Sequence, residues 1–244
     1  IIGAGKVDYP GYLEGEWNDA ANLNEAIRQS IAAAEEQSKR KIREINVGVP
    51  GEFSRVYAVE TSVTVQGADP HVTPKHVEKI FSEADKLLSP VRGVVVHRSP
   101  AWFMVDGGKK TLEPVGMKGR ELTAMVSVVV ANKYFVDDVN ARLNNLGYVA
   151  GGFYSTPAGE AMLYLPEEDR DHMAVLIDVG YLNTEVMAVE GDALIFHKCI
   201  DIGGGNISAD LSMELDIPLR AAEEKIKHNY IYNFGSPDDT YDIP

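Results

Sequence analysis

The chain has 244 residues, 45% of them hydrophobic and 25% charged, which is enough for one large domain or two smaller ones. Its 23 Lys and Arg face 37 Asp and Glu, and the resulting net charge of -14 opposes both a nucleic-acid footprint and direct adsorption to anionic lipid. No apolar run reaches the ~18 residues that a membrane span requires, and the single cysteine, Cys199, excludes an internal disulfide and suits a reducing compartment.

In chain order, the opening "IIGAG" reads as a strand already under way, and Ile1 in place of Met marks the sequence as a trimmed fragment. Leu23, Ala26, Ile27, Ile31 and Ala34 recur at three- and four-residue spacing, which predicts an amphipathic helix over 22–39. "INVGVPG" follows as a β-branched strand closed by Pro50 and Gly51, in α/β order. After Ser54 the texture changes. "RVYAVETSVTV" predicts a long strand, and "VTPKHVEKIFSEADKLL" a helix with Thr73 as N-cap and Pro74 at its first position. Three strand-like runs come next, "VRGVVVHRS", "AWFMVDG" and "ELTAMVSVVVA", so 54–131 reads as a compact α+β insert of strand-helix-strand-strand-strand order. A helix resumes at Lys133 and ends at Gly147, and a short one is expected over 158–165. Past the polar break "PEEDRD", near Asp169, strands at 173–179, 184–190 and 192–200 open a second unit.

Two stretches offer ligand chemistry. In "VLIDVGYLNTEV" a strand ends in Asp178 and turns through Gly180. Such a turn can aim backbone amides at a phosphate while the carboxylate orders Mg²⁺ through its waters, although Asp and Gly serve ordinary tight turns equally well. In "CIDIGGGNISADL", Gly203, Gly204 and Gly205 lead from a strand into a helix that Asn206 could cap, which lets a ligand approach the backbone. Glu224 and Lys227 lie at i and i+3 on a later helix, where mutual pairing or plain solvation is the ordinary role. The histidines, His71, His76, His97, His172, His197 and His228, form no metal-binding spacing, and no nucleophile elbow, P-loop or dinucleotide fingerprint is present.

These segments resemble the bacterial cell-division protein family FtsA, within the actin and large heat-shock chaperone superfamily of ATPases. The resemblance is carried most specifically by "VDGGKKTLEPVGMKGREL" at 105–122, with "EGEWNDAANLNEAIRQSIAAAEEQ" and "INVGVPG" upstream and "GGGNISADL" and "EEKIK" downstream. It implies an α/β, actin-like (ribonuclease H-like) fold in which 1–53 and 132–169 belong to the first subdomain, 54–131 is an inserted interaction subdomain, and 170–244 is part of the second. It further implies ATP with Mg²⁺, contacted by Asp178, Gly180, Asn183, Thr184, Gly203, Gly204, Gly205, Glu224 and Lys227, with Asp178 reaching the metal indirectly. Any ATPase would be slow at most.

Implied partners are an FtsZ-like division protein and further copies of the protein itself, with location in the cytoplasm and, for the intact protein, on the inner face of the membrane through a C-terminal tail. A departure from the pattern bears on the ligand: Tyr181, Leu182 and Asn183 stand where the family has two more glycines and a threonine, and bulky side chains there crowd the backbone cradle. An actin-fold scaffold that has lost nucleotide binding is therefore one alternative. A PilM-like adaptor of pilus or secretion assembly, with the same insert, is another.

Overall fold

The computed structural model describes residues 1–13, 16–88 and 91–227. The chain divides into two compact units, Ile1–Leu176 with Met187–His197, and Ile177–Val186 with Lys198–Pro244.

In the first unit, the opening segment joins no strand. Gly3 and Gly5 instead lie on helix α1 (Ala20–Ser38), where a Cβ on Gly3 would come within 2.5 Å of the Ala34 carbonyl oxygen. The Ala4 amide donates to Gln37 Oε1 at 2.6 Å. The expected strand through "IIGAG" is thus replaced by a glycine-permitted approach to a helix. Strands β1 (Tyr12–Leu13) and β2 (Glu16–Trp17) form a minimal hairpin, and the Trp17 ring stacks on Phe53, which stacks on Phe135. Helix α1 starts where Asp19 Oδ1 accepts from the Asn22 amide at 3.1 Å, and it ends at Lys39 with φ 56°.

Strand β3 (Glu44–Val49) enters the core at Val49, and a single 3₁₀ turn (Gly51–Phe53) leads into β4 (Ser54–Thr64). Helix α2 (Pro74–Leu87) begins at Thr73, whose amide donates to His76 Nδ1 at 3.0 Å. The next two sequence runs form one strand, β5 (Val94–Val105), rather than two. Its register slips between Pro100 and Trp102. Proline cannot donate to a ladder, and it is tolerated here because β5 is an edge strand whose bulge absorbs the irregularity. Strand β6 (Glu121–Ala131) is central in the order β4-β6-β5 and pairs antiparallel with β4 without interruption from Ser54↔Ala131 to Thr64↔Glu121.

Alternation along β6 explains what each face does. Leu122, Ala124, Val126, Val128 and Val130 pack with Ile80 and Ala84 of α2 and with Phe103 and Val105 of β5. Each fully buried large side chain in this core is worth about 1.5–3 kcal/mol. From the opposite face, Ser127 donates to the Leu194 carbonyl, and Met125 packs with Ala101, Trp102 and Ala193.

Helix α3 (Lys133–Asn145) is capped by Asn132, whose Oδ1 accepts from the Tyr134 amide at 2.9 Å. Its Arg142 is held by Asp138, by Asn24 Oδ1 at 2.9 Å and by the Ala20 carbonyl at 3.1 Å, which ties α3 to the start of α1. Strand β7 (Val149–Ser155) then pairs in parallel with β3. Helices α4 (Thr156–Tyr164) and α5 (Glu167–Arg170) complete this part.

Strands β8 (Ala174–Val179), β9 (Thr184–Glu190) and β10 (Ala193–Ile200) form a sheet in the order β10-β9-β8. The division between units falls within these strands. Residues nearest the β9–β10 turn belong to the first unit, and those nearest the β8–β9 turn to the second. Met187, Val189 and Leu194 are buried with Ala158 and Ala161 of α4, and Cys199 of β10 is half-buried. The second unit continues through α6 (Gly204–Glu214), α7 (Leu219–Ala221) and a π-type turn (Ala222–Lys227) that packs against α6. Among the described residues, no helix is long and apolar enough to cross a membrane.

Candidate functional site

In the second unit, strand β8 carries an exposed Asp178 and is followed by the turn 180–183, closed by the Gly180 amide donating to the Asn183 carbonyl at 2.9 Å. Thr184 starts β9, and its hydroxyl donates to the Ile202 carbonyl at 2.6 Å, which brings the glycine run beside the turn. Gly180, Asn183, Thr184, Gly203, Gly204 and Gly205 thus gather in one place.

The amides that open α6 have protein acceptors. Gly203 donates to Asn206 Oδ1 at 2.8 Å, Gly204 to the Gly180 carbonyl at 2.8 Å, and Gly205 to the Tyr181 carbonyl at 2.8 Å. Asn206 therefore bonds back to the cap residue from inside the helix, with Gly203 itself as the cap. The glycines have a local steric reason. A Cβ on Gly203 would lie 2.5 Å from the Tyr181 oxygen, and one on Gly205 would lie 2.9 Å from Tyr181 Cε1. At Gly203 any side chain would push the turn's backbone off the helix, and at Gly205 it would displace the Tyr181 ring.

The phenol of Tyr181 hydrogen-bonds Glu223 of the π-type turn. That bond, with burial and the carboxylate's charge, raises the tyrosine pKa above its ordinary value, because ionisation would set two anions together. Neither the pairing nor its geometry is signalled in the sequence, since the partners lie on separate elements and carry no motif. Glu224 is exposed and pairs with Arg220 at 2.9 Å, an i,i+4 pair in place of the expected one with Lys227. The side chain of Lys227 lies outside the described residues. Among the described residues, no group of three or more His, Cys, Asp or Glu is placed to hold a metal ion.

The first unit holds a cavity of about 650 Å³ at the root of the β4-β6-β5 sheet, lined by Glu52, Arg55, Tyr57, Arg92, Asn132 and Lys133 among others. A second contact seats this sheet against the β9–β10 turn. Lys110 lies 4.9 Å from the Trp102 ring centroid and pairs with Glu190, while Arg170 meets Asp192 at 2.9 Å and the Gly191 carbonyl at 3.0 Å.

Residues 51–130 match the family model "SHS2 domain inserted in FTSA". The chain is 26% identical over 231 residues to cell division protein FtsA of Streptococcus pneumoniae serotype 2 (strain D39 / NCTC 7466), covering 94% of the chain and 50% of that protein. It is 23% identical over 246 residues to FtsA of Bacillus subtilis (strain 168), covering 100% of the chain and 56% of that protein. It therefore spans about half the length of the curated relatives it matches. Among solved structures, the PilM-PilN type IV pilus biogenesis complex superposes with a TM-score of 0.54 at 18% identity, over 89% of this chain and 59% of that one. Residues 51–130 thus match the SHS2 domain inserted in FtsA, and the chain that carries them is similar to FtsA in sequence and actin-like in fold.

Proposed function

We propose that the protein is an actin-fold scaffold of cell division, with the insert as its protein-interaction module and a nucleotide as a conformational ligand more than a rapidly turned-over substrate. The observation that carries this reading is the SHS2 match at 51–130, set inside a chain similar to FtsA over 94% of its length. On this reading, ATP with Mg²⁺ sits at the 180–184 turn and the Gly203, Gly204 and Gly205 junction, with Asp178 ordering the metal's waters and Glu224 and Lys227 on the adenosine side. The intact protein associates with itself and recruits an FtsZ-like partner to the inner face of the membrane through parts beyond this chain.

Co-sedimentation of the full-length protein with FtsZ polymers tests the division role. Recovery in the FtsZ pellet is expected, and its absence would overturn the proposal. Calorimetry with Mg-ATP tests the ligand separately, and no heat at millimolar nucleotide would leave a scaffold without nucleotide. A second reading, an adaptor of pilus or secretion assembly, is favoured by the cavity at the root of the insert, which has the size of a site for part of a peptide. Retention of the full-length protein by a pilus-assembly partner, with no FtsZ association, would establish that reading instead.

A further inference from the structure

A helix amino end offers unpaired amides and a positive dipole end to an anion. At α6 that offer is taken up within the chain, because the Gly180 and Tyr181 carbonyls accept from Gly204 and Gly205 at 2.8 Å each. The Tyr181 ring covers Gly205 so closely that a Cβ there would lie 2.9 Å from Cε1 and 3.0 Å from Cζ. The ring's hydroxyl is fastened to Glu223, which rides on a turn packed against α6. Main-chain and ring contacts from one residue therefore converge on one helix end, and its hydroxyl ties it to the turn packed against the same helix.

We propose that Tyr181 is a latch: its carbonyl and ring hold the 180–183 turn on the amino end of α6, and a phosphate-bearing ligand competes with it for the amides of Gly204 and Gly205. This rests on the reading of the turn as part of a nucleotide site. The latch is built to open. Tyr181 and Leu182 are 49% and 58% exposed, so releasing them uncovers little apolar surface. Closure has a sequence cause as well, because a glycine at 181 would supply the carbonyl but neither the ring nor the hydroxyl.

The test uses full-length protein and the variants Tyr181→Ala, which removes ring and hydroxyl, and Tyr181→Phe, which removes only the bond to Glu223. Circular dichroism confirms that each is folded. Amide exchange over 203–206 is expected to rise about tenfold in Tyr181→Ala and less in Tyr181→Phe, the scale of losing one hydrogen bond and a ring contact. Mg-ATP, titrated by calorimetry, is expected to bind about tenfold more tightly to Tyr181→Ala than to the parent. Unchanged exchange in both variants would overturn the latch. Faster exchange with unchanged affinity, in a parent that does bind Mg-ATP, would overturn the competition. If neither parent nor variant binds at millimolar nucleotide, the nucleotide reading and the competition fall together, and the exchange rates alone still decide whether the latch exists.

Discussion

The seat of the insert on the β9–β10 turn can be probed at a single atom. Gly191 has φ 58°, and a Cβ built on it would fall on the Ala101 carbonyl oxygen, with the Ala101 carbonyl carbon at 3.0 Å and Leu112 Cδ2 at 3.1 Å. Gly191→Ala therefore carries two penalties. A left-handed backbone costs an L-residue about 1–2 kcal/mol, and overpacking against a backbone that cannot swing aside adds about 1–3 kcal/mol. The sum is a loss of about 2–5 kcal/mol, large beside the ~5–15 kcal/mol net stability of an ordinary domain. Gly107→Ala is the internal control. It has φ 68°, but its added Cβ would meet nothing within 4 Å, so only the backbone penalty applies. Urea denaturation followed by tryptophan fluorescence measures both variants, since Trp102 lies in the same buried group as Ala101. Equal losses in the two variants would refute the claim that Gly191 is required for close approach to the insert.

Two other perturbations address the insert itself. Leu122 is fully buried beneath α2, so Leu122→Ala is expected to lower stability by about 2–5 kcal/mol in the same urea assay, and a loss below about 1 kcal/mol would mean that its core is loosely packed. His97 is held below its ordinary pKa of 6.5 by burial. As pH falls through 6.5, the unfolded chain takes up the proton before the folded one does. Stability is therefore complete above 6.5 and declines from there until the folded pKa is passed. His97→Gln removes this dependence. A parent and variant whose urea midpoints fall in parallel between about pH 7 and 5 would refute it.

Where local chemistry decides, the sequence was readable. Thr73 with Pro74 marked the start of α2, Gly147 the end of α3, and alternation in "ELTAMVSVVVA" the two-faced strand β6. Pro100 misled because a proline ends a strand by local rules, whereas an edge position with a bulge accommodates it. "IIGAG" misled for a related reason: β-branched residues beside glycine describe an extended segment, and whether it finds a strand or a helix to lie on is a tertiary matter. At the candidate site, the Asp178 turn and the glycine run were visible as separate stretches. That the second serves to receive the first, through the Gly180 and Tyr181 carbonyls, was not visible, because main-chain acceptors leave no residue signature. Glu223 was hidden behind its neighbour Glu224, which looked equivalent by spacing alone.

The two turns flanking β9 use glycine in opposite ways, and burial separates a permanent joint from a movable one. Near the β9–β10 turn, Met187, Val189, Ala193 and Leu194 are at most 1% exposed, and the Lys110–Glu190 pair and the Arg170 contacts close the rim. Opening that joint would uncover several buried apolar side chains at about 1.5–3 kcal/mol each, a cost on the scale of the whole fold. At the β8–β9 turn the holding contacts are two backbone hydrogen bonds, the hydroxyl bonds of Thr184 and Tyr181, and one exposed ring. Each such bond contributes a net of about 0.5–1.5 kcal/mol, and water replaces it readily when the turn lifts. A ligand that makes comparable bonds to the same amides can therefore shift this turn, whereas no plausible ligand energy shifts the other. The β9–β10 turn thus fixes the insert, and the β8–β9 turn is the more weakly held joint of the two.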